Sequence, residues 1–144
     1  MKALLVASAV LLSITLCGCK EKPTTEELLA GYEYTLDQIA DYATASTQEA
    51  EAQASRGEIS DEELAVQYQQ ITLVWAGTIA EVDKAKDYRE LWPLIFGSDK
   101  APALPQSPAS PDLLQWAAYV SQVEEYVIMH YQLVDSAWKK LGYS

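Results

Sequence analysis

The sequence predicts an all-α domain, a bundle of three long helices with a Pro-rich extended connection between the second and the third. Three observations predict it. Apolar residues recur at three- and four-residue steps in three separate stretches. Each stretch opens on residues that cap helix N-termini. None shows the alternating apolar and polar pattern of a half-buried strand. The chain has 144 residues, 49% hydrophobic and 22% charged, which suits one folded core and is unlike the low hydrophobicity of disordered chains.

The first helix is expected over residues 24–56. Thr24-Thr25-Glu26-Glu27 has the form of a capping box, in which the Thr24 hydroxyl accepts an amide of the first turn and Glu27 reaches back to the Thr24 amide. Leu29, Tyr32, Leu36, Ile39 and Ala43 then share one face. Beyond Ala43 the face is mostly alanine, with high helix propensity and little area to bury, so close packing and fraying are both open; Gly57 is the expected stop.

The second helix is expected over 60–96. Ser60-Asp61-Glu62-Glu63 repeats the capping box, and Leu64, Tyr68, Ile71, Trp75, Ile79 and Val82 make its stripe. Pro93, within the apolar run Leu91 to Phe96, should end or kink this helix near Trp92.

Residues 98–110 carry Pro102, Pro105 and Pro108, and with Pro111 the prolines fall at intervals of three, the repeat of a polyproline II turn. Extended, this link reaches roughly 40 Å, enough for a crossover the length of a helix. The third helix is expected over 110–141, with Ser110 as cap and Pro111 in the first turn. Trp116, Val120, Val123, Val127, His130, Val134, Ala137 and Leu141 advance by alternating four and three, a seam for helix-on-helix packing. The direction of this helix relative to the second stays open.

Charge bears on function by exclusion. Acidic residues outnumber basic ones 21 to 10, for a net charge of −11, so the surface field repels nucleic acid. No haem-attachment motif, zinc-binding helix motif, phosphate loop or nucleophile elbow is present, and one histidine is too few for a di-metal carboxylate bundle. The chain is therefore expected not to be an enzyme. His130 is the one residue with latent cofactor or metal chemistry. Met129 cannot share a site with it, since adjacent helical residues point about 100° apart, and a core histidine bonded to a tyrosine or carboxylate is the plainer expectation.

The N-terminus carries an address. Met1-Lys2 gives one positive charge, and Ala3 to Leu16 is nearly all apolar but shorter than the roughly 20 residues of a bilayer crossing. Leu16-Cys17-Gly18-Cys19 resembles the lipobox of bacterial lipoproteins, with Leu three before and a small residue directly before the modified cysteine. Cys17, preceded by Leu16, does not fit the pattern. The resemblance covers residues 1–19 alone. It implies cleavage of residues 1–18, a diacylglycerol thioether on Cys19, and no cofactor beyond that covalent lipid. Lys20 after the cysteine, where inner-membrane lipoproteins often carry Asp, points to the outer membrane in a Gram-negative host. Residues 19–23 then form a tether of at most about 18 Å, whose Lys20 and Lys22 either meet anionic headgroups or simply keep it polar.

The expected function is that of a lipid-anchored, periplasm-facing accessory module that binds an envelope protein. Trp92, Leu94, Ile95, Phe96, Pro102, Pro105 and Pro108 are its candidate docking residues, because an apolar cluster beside a proline break can stay open to a partner. The alternatives are an immunity or exclusion lipoprotein that neutralises a toxin or phage, and a cofactor site centred on His130.

Overall fold

The computed structural model describes residues 22–143. The cleaved signal, Lys20 and the lipidated Cys19 of the sequence reading lie outside these residues. The described residues are all-helical, with no strand among them. Four α-helices are present: α1 (Thr25–Ser55), α2 (Asp61–Lys84), α3 (Trp92–Ile95) and α4 (Leu113–Lys140), with a 3-10 turn at Tyr88–Leu91.

Both capping boxes form. The Thr24 hydroxyl accepts the Glu27 amide at 3.1 Å while Glu27 accepts the Thr24 amide at 3.0 Å, and Ser60 and Glu63 repeat the exchange. α1 ends where Gly57 takes φ 71°, letting the Gly57 amide donate to Ala54 and the Glu58 amide to Gln53. α4 closes the same way at Gly142, φ 95°, with Tyr143 bonded back to Trp138 and its ring set edge-on to the Trp138 ring. Each closure satisfies carbonyls that a helix end otherwise leaves bare. The alanine half of α1 stays helical, and Ala43 and Ala50 are fully buried, so small residues here permit close packing.

Two expected boundaries are corrected. The second helix does not run to residue 96: it stops at Lys84, because Ala85 turns extended (φ −59°, ψ 134°). Pro93 does not break a helix; it lies in the first turn of α3, where its missing N–H has no intrahelical partner to lose. The last long helix is capped by Asp112, whose carboxylate accepts the Leu114 amide, and not by Ser110. Consequently the extended residues join α3 to α4.

Cross-chain hydrogen bonds set the directions. Tyr32 meets Asp83 and Glu51 meets Tyr68, so α1 and α2 are antiparallel. Glu33 meets Trp138 and Asp37 meets Tyr131, so α1 and α4 are antiparallel too, and α4 runs parallel to α2. Parallel neighbours require a return path about as long as a helix. Residues 97–112 supply it as a strap running back along α4: the Tyr119 hydroxyl donates to the Pro105 carbonyl and the Trp116 indole to the Ser110 carbonyl.

α2 is shorter than its neighbours, and the 3-10 turn with α3 fills the space beyond its end. Tyr88, Leu91 and Ile95 are buried there, and the Lys140 ammonium donates to the Leu94 carbonyl. Lys22 forms an ion pair with Glu90 at 2.9 Å, exposed on both sides and so worth little. No helix among the described residues is long and apolar enough to cross a membrane.

Candidate functional site

A polar cluster lies inside the apolar core at the capped end. Asp83, in the last turn of α2, is 2% exposed, and His130 of α4 is 0% exposed. One Asp83 carboxylate oxygen accepts the Tyr32 hydroxyl at 2.6 Å; the other stands 3.0 Å from His130 Nε2. His130 Nδ1 is 2.8 Å from the Tyr126 carbonyl, one turn back on α4.

These partners define the proton inventory. A carbonyl only accepts, so Nδ1 carries a proton. One further proton lies between Nε2 and Asp83, and wherever it resides the pair is neutral as a unit, which is what permits it to be buried. Tyr32 closes the network with a neutral hydroxyl. Burial above all, then the adjacent Asp83 carboxylate, push the Tyr32 hydroxyl far above its ordinary range.

Each member is placed by its helix. Tyr32 lies on the α1 core stripe. Asp83 lies four residues beyond Ile79, so the α2 stripe carries a carboxylate inward at its last turn. His130 occupies its predicted place on the α4 seam. The Asp83 main-chain carbonyl, which α2 itself leaves unpaired, accepts the Trp92 indole N–H at 2.8 Å. Thus Asp83 ties α1, α4 and the cap to the end of α2 at once.

Aromatic rings enclose the imidazole. Tyr126 and Phe96 approach it edge-on with centroids at 4.4 and 5.9 Å, and Trp92 leans on Phe96 at 6.3 Å. Burial first, and the Asp83 carboxylate next, raise the Tyr126 hydroxyl above its ordinary value. Tyr88, pushed up to about 12 chiefly by burial, packs edge-on against Tyr32 at 5.5 Å.

The cluster can hold helices together; as it stands it offers little for ligation. Both His130 nitrogens face oxygen atoms of the protein, and no group of three His, Cys, Asp or Glu side chains suited to a metal occurs among the described residues.

The candidate docking residues fall in three settings. Ile95 is buried. Trp92, Leu94 and Phe96 are half-buried, with Leu94 and Phe96 packed on the core, and the Arg89 guanidinium lies 5.8 Å from the Trp92 ring. Pro102, Pro105 and Pro108 are half-buried along the strap, where Leu104 is 40% exposed. Trp92 and Phe96 therefore meet around His130, Trp92 and Pro102 face one pocket, and Pro105 is held farther along α4 by Tyr119. Sequence reasoning passed over Asp83, Tyr32 and Tyr126 as polar partners. The available signals were spacings: Asp83 follows Ile79 by four, and Tyr126 precedes His130 by four.

Comparison with protein-family models, with curated proteins and with solved structures finds no match to this chain.

Proposed function

We propose that the protein is a lipid-anchored, non-enzymatic accessory module of the bacterial cell envelope. In this reading, a three-helix bundle closed by the short α3 is held at a membrane through Cys19 and offers a surface to an envelope protein. The Leu16-Cys17-Gly18-Cys19 pattern carries the address. Two or more acyl chains on one cysteine give stable anchoring where one alone does not. The five-residue tether joins α1 at the end where Lys22 meets Glu90, so the capped end would lie within about 18 Å of the lipid. Lys20 after the cysteine favours the periplasmic face of an outer membrane.

The binding role rests on the strap. Ile95 is buried and Phe96 packs on the core, so the surface proposed for a partner is the outer side of residues 102–108, with Leu104 exposed between half-buried prolines and half-buried Trp92 beside its start. A preformed extended segment loses little entropy on binding.

The anchor is tested by labelling cells with a palmitate analogue and fractionating them. The unchanged protein takes the label and sediments with membranes, whereas Cys19→Ser does neither. Recovery of Cys19→Ser in the membrane fraction refutes the anchor. A Leu104→Asp exchange tests the surface: the lipidated variant stays in the membrane and loses its cross-linked envelope neighbour, and an unchanged cross-linking pattern refutes the assignment.

A further inference from the structure

A pocket of about 450 Å³ lies between the end of α2 and the start of the strap. Small-molecule sites span roughly 300 to 1,000 Å³ and are mostly apolar with a few placed polar groups. This one has that make-up. Ala80, Trp92, Pro102 and Leu104 supply apolar walls. Tyr126 also lines it; only 6% of this residue is exposed, and its buried hydroxyl, which lies beside the Asp83 carboxylate, makes no hydrogen bond of good geometry within the protein. A buried unpaired hydroxyl is disfavoured unless something else satisfies it.

The charges at the pocket depart from those of the whole molecule. Lys84 and Lys100 both line it, both are exposed, and neither forms an ion pair among the described residues. Among the lining residues Asp99 is the one free carboxylate, since the Asp83 carboxylate is engaged by Tyr32 and His130. The lining thus carries two free cations against one free anion, on a chain whose net charge is −11. The strap is tied to α4 just past this wall, where the Tyr119 hydroxyl donates to the carbonyl of Pro105, the residue after Leu104, and that anchor limits the entropy a ligand must spend in ordering the wall.

We propose that this pocket binds a small amphipathic anion, with an apolar body against Ala80, Trp92, Pro102 and Leu104 and an acidic head held by Lys84 and Lys100. The Tyr126 hydroxyl supplies a hydrogen bond inside. Medium-chain carboxylates and aromatic carboxylates or sulfonates share this chemistry. The assignment does not depend on the lipid anchor; it shares Pro102 and Leu104 with the surface proposed for a protein partner, and a small-molecule titration of the purified protein tests it with no partner present.

The test is a fluorescence titration of the purified full-length protein with anilinonaphthalene sulfonate, using phenylnaphthylamine as the uncharged counterpart and decanoate as competitor. The expected result is saturable one-site binding of the sulfonate, displaced by decanoate and tighter than that of the uncharged probe. Lys84→Gln with Lys100→Gln, both at exposed positions, should weaken the sulfonate by at least about tenfold, since even one lost charge-assisted hydrogen bond is worth that much, and leave the uncharged probe unchanged. Ala80→Phe, checked for helicity, should block both probes by filling the pocket. Non-saturating uptake, equal affinity for the two probes, or unchanged sulfonate affinity in the double lysine variant overturns the proposal.

Discussion

Replacing Asp83 tests whether the Tyr32–Asp83–His130 cluster holds the helices together. Asp83→Ala strips two buried partners at once, the Tyr32 hydroxyl and His130 Nε2. Each buried polar group left unpaired costs about 1–3 kcal/mol, and breaking a buried ion pair on one side costs about 3–5 kcal/mol in all. The pocket adjoins Asp83, so water entering the space vacated by the carboxylate sets the low end of that range.

Asp83→Asn behaves differently. Its amide oxygen still accepts the Tyr32 hydroxyl, and its NH₂ can donate to Nε2 of a neutral imidazole. That imidazole is the tautomer the Tyr126 carbonyl requires, with the proton on Nδ1. Asn therefore leaves every partner satisfied and should cost less than about 1 kcal/mol. Urea unfolding followed by circular dichroism measures both variants. Comparable losses for Asn and Ala, or an Ala variant within about 1 kcal/mol of the parent, would refute the cluster as a structural staple.

Two further outcomes follow from the buried aromatic side chains. In the unfolded chain tyrosine ionises near pH 10, whereas burial pushes Tyr68 and Tyr88 up to about 12 and Tyr32 and Tyr126 higher. Above about pH 10 the unfolded chain thus binds fewer protons than the folded one, so stability is full below that pH and falls as pH rises further. Phenolate absorbance should show the buried tyrosines titrating together with loss of helix; independent titration of all nine near pH 10 in a still helical protein contradicts the packing. Trp92→Phe keeps the ring but removes the indole donor from the Asp83 carbonyl. It should lower stability by about 1–2 kcal/mol in the same urea assay, and no change would show that water caps that carbonyl equally well.

Much of the fold was legible from local pattern. Leu29, Tyr32, Leu36, Ile39 and Ala43, then Leu64 to Val82, then Trp116 to Ala137 are buried at the spacings that predicted them. A helix turns its residues by a constant angle, so a periodic stripe is a statement about one face. Thr24, Ser60, Gly57 and Gly142 were equally legible, because a cap involves only residues a few positions apart.

The end of the second helix was not legible in this way. Leu91 to Phe96 is apolar enough to continue a helix, yet the chain breaks at Ala85 and folds this run over the end of α2, where Leu91 and Ile95 are buried between helices. Asp83 shows the same limit at the candidate site. A carboxylate near a helix end reads as solvated until Tyr32, 51 residues before it, and His130, 47 residues after it, are brought to the same point. Phe96 shows it too, since the His130 ring it packs against is remote in the chain.

By itself, then, the sequence determined that the described residues would be helical, which faces would be buried and where most caps would form, because each is governed by interactions within one or two turns. The lipobox-like run ending at Cys19 is a local signal as well, and what it implies stands as a proposal, because it lies outside the described residues. Tertiary structure alone decided that α4 runs parallel to α2, that the strap returns along α4, and that one aspartate joins three helices and the cap. Those features depend on which distant residues meet, and no local periodicity encodes that choice.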